Sequence, residues 1–122
     1  MITQEQDRPI IVSKAKYLGS CLLPSPIELE ATIVLYPNRI HIPALDATIP
    51  IDKVSGIKLV KGKDLPSQTI VMFGVVGAII EKDKPYIIIE IGSSPDGLLF
   101  KFDNAVIADK LVEQVDAAKD LQ

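Results

Sequence analysis

The residue types that carry out most enzyme chemistry are scarce in this chain. The only histidine is His41 and the only cysteine is Cys21. His41 lies in the stretch "RIHI", on the opposite side from Ile40 and Ile42, and nothing near it in the sequence would orient it as a general base, which catalysis requires. Cys21 lies in the apolar run "SCLL", which is typical of a small buried residue. We therefore predict that the chain has no catalytic residues and is not an enzyme.

Two short glycine motifs also lack the spacing that chemistry needs. "GSSPDG" at 92–97 does not contain the Gly-x-Ser-x-Gly spacing of a nucleophile elbow, and its Pro-Asp-Gly order is typical of a turn. "GVVG" at 74–77 is not followed by the Lys-Ser/Thr pair of a phosphate-binding loop. Cys, His and carboxylate residues are not spaced as metal ligands. We predict neither a cofactor nor a metal site.

The charge balance and the N-terminus indicate where the protein works. The net charge of −3 argues against nucleic acid as a partner, because binding to phosphates requires a basic face. The first residues, "MITQEQDRP", are polar and do not form an apolar signal region, and one cysteine cannot form an internal disulfide. We predict a cytoplasmic protein with a polar lead-in at 1–9 and a single domain at 10–122.

From Ile10 onward most of the chain has a β-like pattern, and some stretches alternate between apolar and polar residues with a period of two, which predicts β-strands. "IELEATIVLY" places Leu29, Ala31, Ile33 and Leu35 on one face, and "RIHIPA" resumes the alternation after the turn residues "PN". "ATIPIDKVSGIKLVKGK" predicts two strands that separate near Asp52. "PYIIIEIGSS" and "GLLFKFD" flank a turn and predict two more strands.

Helical spacing appears once, at the C-terminal end. The apolar residues of "NAVIADKLVEQVDAAKDLQ" recur every three or four positions, which predicts an amphipathic helix. Asp103 or Asn104 is suited to cap its N-terminus. The residues predicted to face the core are Ala108, Leu111, Val112, Val115 and Ala118.

Three of these patterns together resemble the pleckstrin-homology-like fold, in its small bacterial and GRAM-type versions. They are "IVLYPNRIHI", "IPIDKVSGIKL" and "YIIIEIGSSPDGLLFKFDN", and the resemblance extends over roughly residues 15–120. It implies a mainly β fold: a bent antiparallel sheet or barrel of six to seven strands, capped by one C-terminal α-helix. Near-closure of such a sheet reduces its exposed edges.

The resemblance also indicates which partners to expect. Members that bind phosphoinositides carry several Lys and Arg residues in the first hairpin loop, whereas the corresponding stretch here, "CLLPSPIELE", has no basic residue. We therefore do not expect phosphoinositide binding, and a protein-binding scaffold is the expected role. Some small bacterial relatives carry an apolar, glycine-containing insert before the last two strands, and residues 66–80 resemble that insert.

The segment "TIVMFGVVGAII" at 69–80 contains no charged residue. The uncharged run from Leu65 to Ile80 is 16 residues long, shorter than the roughly 20 that a membrane-spanning helix needs. Burial of each large apolar side chain contributes about 1.5–3 kcal/mol, so the segment is expected either to pack on its own sheet or to be covered by another subunit. The proposed interaction residues are Ile70, Met72, Phe73, Val75, Val76, Ile79 and Ile80.

Three functions follow from these alternatives. The first is a non-enzymatic interaction module that forms a homo-oligomer, or binds another protein, through 69–80. The second is a peripheral membrane-binding domain that uses Phe73 and its neighbours as a wedge, with Lys61, Lys63, Lys82 and Lys84 facing an anionic surface. The third is a scaffold that binds a small ligand or peptide at the edge of the sheet.

Overall fold

The computed structural model describes residues 8–19, 29–65, 81–92 and 97–121, so most of the predicted lead-in at 1–9 lies outside it. Within these ranges, seven strands form one antiparallel sheet and one α-helix follows them. The strands are β1 (Ile11–Gly19), β2 (Leu29–Leu35), β3 (Arg39–Ile42), β4 (Ala47–Pro50), β5 (Val54–Lys61), β6 (Pro85–Ile91) and β7 (Gly97–Lys101), and the helix is α1 (Ala105–Asp120). Short 3₁₀ helices occur at Pro43–Leu45, Ile51–Lys53 and Gly62–Asp64.

The sheet has the strand order β4-β3-β2-β1-β7-β6-β5. It is bent but not closed into a barrel, so the bent sheet is the correct one of the two predicted forms. β4 and β5 lie at its two edges, connected by the 3₁₀ helix at Ile51–Lys53. Pro50 is the last residue of β4, and because β4 is an edge strand the missing N–H of proline removes no hydrogen bond from the middle of the sheet.

An extra residue in β1 lies where the two halves of the sheet join. Tyr17 is opposite Phe100 on β7, whereas Gly19 is opposite the adjacent Leu99, so Leu18 has no partner of its own in the register. Such a bulge bends a strand and increases its twist. Gly19 has a φ of 144°, a backbone conformation that other residues rarely adopt.

The predicted alternation of β2 is confirmed. Ala31, Ile33 and Leu35 are buried on the same face of β2, and Glu30 on the other face is exposed. The inner faces of all seven strands form one core with α1, in which the rings of Tyr17 and Phe100 pack with their centroids 5.4 Å apart. The largest fully buried side chains of this core are Tyr17, Phe100, Phe102, Ile33, Leu35, Ile40, Ile42, Ile51, Ile87 and Ile89.

The helix α1 covers the inner face of the sheet. The side chain of Asn104 accepts a hydrogen bond of 2.7 Å from the amide N–H of Val106, which identifies Asn104 as the N-cap among the two predicted candidates. The helix packs against β5, β1, β6 and the 3₁₀ helix at Ile51–Lys53. Four of the five predicted core residues are buried and Val112 is partly buried: Ala108, Leu111, Val115 and Ala118 form the buried face.

Replacement of Phe100 by alanine is expected to reduce the free energy of unfolding by about 3–5 kcal/mol, because the ring is fully buried against Tyr17 and its loss leaves a cavity. Urea denaturation followed by circular dichroism measures this difference. Val106→Ala is the control, since Val106 is 74% exposed and its truncation should change stability little. A Phe100→Ala variant as stable as the control would contradict this description of the core.

Candidate functional site

The seven residues predicted to form an interaction surface all lie outside the described residues. They are Ile70, Met72, Phe73, Val75, Val76, Ile79 and Ile80. The structure does describe the chain on both sides of this segment, up to Leu65 and again from Glu81. We call residues 61–65 and 81–85 the neck. The geometry of the neck determines how the segment is attached to the fold.

The two sides of the neck are hydrogen-bonded to each other. The β5–β6 ladder continues to the pair Lys61 and Pro85. Beyond it, the Gly62 N–H donates to the Lys84 carbonyl at 3.0 Å and the Lys63 N–H donates to the Lys82 carbonyl at 3.2 Å. The described residues on either side of 66–80 therefore lie at the same end of one hairpin, and in sequence 66–80 is an insertion between β5 and β6.

Gly62 allows the two sides of the neck to approach closely. A Cβ atom built on Gly62 would lie 2.1 Å from the Glu81 carbonyl oxygen and 2.9 Å from the Tyr86 ring. Both distances are shorter than real carbon contacts, and the first involves backbone that cannot rotate away. Among the common residues only glycine fits here without a shift of the chain.

Glu81, the first residue of the second side of the neck, is hydrogen-bonded through both its backbone and its side chain. Its amide N–H donates to the Tyr86 hydroxyl at 2.8 Å, and its carboxylate accepts a hydrogen bond of 3.0 Å from the ammonium of Lys101 on β7. Lys101 is only 7% exposed. The hydrogen bond from Lys101, reinforced by its positive charge, lowers the pKa of the Glu81 carboxyl below its ordinary value. The pair connects the end of the insertion to the middle of the sheet.

A second apolar cluster lies on the face of the sheet opposite α1. It consists of Leu18, Leu65, Tyr86 and Leu99, with Val60 and Ile88 partly buried against it. We call it the outer cluster. Because Leu65 belongs to it, the chain enters the insertion on the outer face of the sheet.

The outer cluster could have been predicted from the sequence, but from continuous apolar runs rather than from alternation with a period of two. The runs "PYIIIEI" and "GLLF" are almost continuously apolar, and β7 is buried along its whole length. Continuous apolar runs are typical of strands that are covered on both faces.

The ring of His41 contacts polar atoms of the neighbouring strand β4. Its Nδ1 atom lies 3.1 Å from the Ala47 carbonyl oxygen and 3.0 Å from the Thr48 hydroxyl, both on the neighbouring strand β4. A carbonyl can only accept, so a hydrogen bond to Ala47 requires the proton on Nδ1, whereas the Thr48 hydroxyl can donate to this nitrogen or accept from it. Cys21 lies outside the described residues.

Two features are absent from the described ranges: a metal-binding cluster and a membrane-spanning helix. No group of three or more His, Cys, Asp or Glu residues in them could hold a metal ion. No helix in the same ranges is long and apolar enough to cross a membrane.

Comparison with known proteins adds no relative. No family model matches the chain, and no curated protein is significantly similar to it. The class of protein therefore rests on the fold itself: a mainly β protein with a bent, seven-stranded antiparallel sheet and a C-terminal helix, an architecture compatible with the pleckstrin-homology-like fold.

We expect Gly62→Ala to reduce the free energy of unfolding by about 1–3 kcal/mol, because the new methyl group displaces the Glu81 backbone and separates the two sides of the neck. Chemical denaturation measures the change. Gly56→Ala on the same strand is the matched control, since its Cβ would meet only the end of the flexible Glu90 side chain. Equal stability of the two variants would show that the neck is not closely packed.

The Glu81–Lys101 pair predicts a pH dependence of stability. The carboxyl has a lower pKa in the folded chain than its ordinary value of 4.5, so the pair contributes stability above about pH 4.5 and loses that contribution as the pH falls through the lowered folded pKa. Glu81→Gln should therefore be less stable than the native chain at pH 7, and the difference should disappear in acid.

Thermal unfolding between pH 2 and pH 7 measures this difference. Glu113→Gln, at an exposed position of α1, is the control for loss of a surface carboxylate. The Glu81 side chain is 47% exposed, so 1 M salt should weaken the effect. A difference between Glu81→Gln and the native chain that is independent of pH would contradict the assignment.

Proposed function

We propose that the chain is a pleckstrin-homology-like, non-enzymatic interaction module of the cytoplasm that self-associates through residues 69–80. The observation that carries this proposal is the neck. It holds both ends of an uncharged, apolar insertion together at one end of the β5–β6 hairpin. An apolar segment attached in this way is suited to contact a second molecule without rearrangement of the sheet.

The energetics favour a covering partner. Eight large apolar residues lie within 69–80, seven of them the proposed interaction residues, and each contributes about 1.5–3 kcal/mol when it is fully buried. Soluble monomers rarely leave a contiguous apolar patch of that size in water. An identical subunit provides the same apolar segment in return, so a symmetric contact buries both copies at once.

The charges at the neck favour a protein partner over a membrane. Its exposed charged residues include three lysines and two aspartates, which nearly cancel: Lys61, Lys63, Lys82, Asp64 and Asp83. The other two charged residues of the neck form ion pairs within the fold. Glu81 pairs with Lys101 at 3.0 Å, and Lys84 pairs with Asp103 at 3.6 Å. The net attraction to an anionic bilayer is therefore small. The membrane-wedge alternative remains an outcome that the experiment distinguishes.

Replacement of Phe73 by aspartate is expected to convert an oligomer into a folded monomer, because a buried unpaired charge at the contact is strongly unfavourable. Light scattering on a size-exclusion column, over a hundredfold range of loading concentration, measures the absolute mass. Val106→Asp is the matched control: it adds the same charge at an exposed apolar position of α1 and should leave the mass unchanged.

A second variant covers the case in which Phe73→Asp does not fold. Residues 66–80 are replaced by a four-residue Asn-Gly turn, which the hydrogen-bonded neck is suited to close. A folded monomer would support the proposal. An oligomer or an unfolded chain would overturn it, as would a native chain that is monomeric at all concentrations. Co-sedimentation of such a monomer with phosphatidylglycerol vesicles would favour the membrane alternative.

A further inference from the structure

The first half of β1 has a neighbouring strand on one side only. Residues 11–15 pair with residues 31–35 of β2. On the other side, the register with β7 begins only at Lys16, which is opposite Lys101, the last residue of β7. No other strand of the described ranges adjoins β1 there. We call this unpaired side of residues 11–15 the β1 edge.

The β1 edge lacks features that protect the two outer edges of the sheet. Every second residue of a strand directs its N–H and C=O groups toward the same neighbour, so an unpaired side is a template for another strand. At the outer edges, β4 ends in Pro50 and β5 has an irregular register near Gly56, and both proline and bulges discourage further pairing. Residues 11–15 contain no proline, and their register with β2 is regular. The β1 edge is therefore suited to accept a strand.

Exposed apolar side chains lie around the β1 edge. Ile10, directly before β1, is 42% exposed, and Val12, on the outward face of β1, is 57% exposed. Residues 103–107, which follow β7 and form the first turn of α1, are all exposed, and among them Ile107 is 46% exposed. An added strand with apolar side chains would remove part of this apolar surface from water, which is favourable.

Ser13, at the middle of the β1 edge, has a buried hydroxyl group. Ser13 is 1% exposed, and its Oγ atom has no hydrogen-bond partner within the described part of the chain. A buried hydroxyl without a partner costs about 1–3 kcal/mol. On an antiparallel strand added at the edge, the residue opposite Ser13 would lie on the same face, with its Cβ atom about 4.5–5.5 Å away. A serine or threonine at that position can therefore pair with the Ser13 hydroxyl.

We propose that the β1 edge binds an extended segment of another protein, which adds to the sheet as a short antiparallel strand in line with β7. Main-chain hydrogen bonds supply the affinity, as in other cases of strand addition. A serine or threonine opposite Ser13 and an apolar residue opposite Val12 supply the specificity. This site is separate from 69–80 and does not depend on the proposed self-association.

The length of the β1 edge favours a peptide segment over a second copy of this chain. Five residues of a strand extend about 17 Å, and a strip of that length and about 10 Å wide buries only roughly 300–400 Å² in total. Stable interfaces between folded proteins bury about 1,200–2,000 Å². A short segment pairs along the whole edge without a larger contact.

The test is a titration of the ¹⁵N-labelled full chain with the pentapeptide acetyl-Val-Thr-Thr-Val-Val-amide, followed by amide chemical shifts. Its central threonine is designed to lie opposite Ser13 and its fourth residue opposite Val12. We expect saturable shifts at residues 11–15 and 104–107, with a dissociation constant on the order of 100 μM. The oligomeric state should not change with the peptide, which separates this result from self-association through 69–80.

Two modified peptides test how the segment binds. N-methylation of the three central residues removes the N–H donors that strand pairing needs and should abolish binding. Replacement of the central threonine by valine, which has the same shape but no hydroxyl group, should weaken binding at least about threefold.

A substitution in β1 tests the apolar contact. Val12→Ser should weaken binding about threefold, because it removes an exposed apolar side chain beside the peptide. Leu121→Ser is the matched control: Leu121 is 81% exposed at the other end of α1, so its replacement should leave the affinity unchanged.

Four results would overturn the proposal. The first is the absence of saturable shifts up to about 2 mM peptide, which is about 20 times the expected constant. The second is equal binding of the N-methylated peptide, which would exclude strand pairing. The third is equal affinity of the valine peptide, which would remove the role of Ser13. The fourth is binding that appears only after deletion of residues 1–7, which would show that the chain's own N-terminal residues occupy the edge.

Discussion

The double pairing of β1 is the constraint on which the rest of the structure depends. β1 hydrogen-bonds to β2 on one side and to β7, about 80 residues later in the chain, on the other. This pairing joins the first four strands and the last three into one sheet, and the contact between Tyr17 and Phe100 secures it from the core side. Such a distant contact requires closure of a long loop, so it is favourable only when the buried apolar surface offsets the entropy of closure.

Much of the fold could be predicted because its signals are local. The alternation of Ile33 and Leu35 predicts a half-buried strand, and the spacing of Leu111 and Val115 predicts the buried face of the helix; the structure confirms both. The bulge at Leu18 could not be predicted in this way, because it depends on the register between β1 and β7. The pairing of Lys101 with Glu81 also depends on register and joins residues 20 positions apart. Sequence periodicity specifies which face a residue occupies but not which residue lies opposite it.

The neck explains how an apolar insertion is compatible with this sheet. The hydrogen bonds from Gly62 and Lys63 complete the β5–β6 hairpin before residue 66, so the ladder does not require a particular sequence in the insertion. Longer loops add only slowly to the entropic cost of closure. The apolar composition of 69–80 is therefore compatible with the proposed contact with a second molecule.

Lys101 lies at the boundary between two surfaces of different character on the outer face. On one side it is opposite Tyr86 of the outer cluster, and on the other it is opposite Lys16 on the charged outer face of β1. A lysine suits this boundary because its aliphatic stem can cover apolar neighbours while its ammonium reaches a polar partner, here Glu81 at 3.0 Å. A shorter or purely apolar residue would leave either the Tyr86 side uncovered or the Glu81 carboxylate without its donor. The buried position of Lys101 therefore follows from the meeting of the two surfaces and does not require a catalytic role.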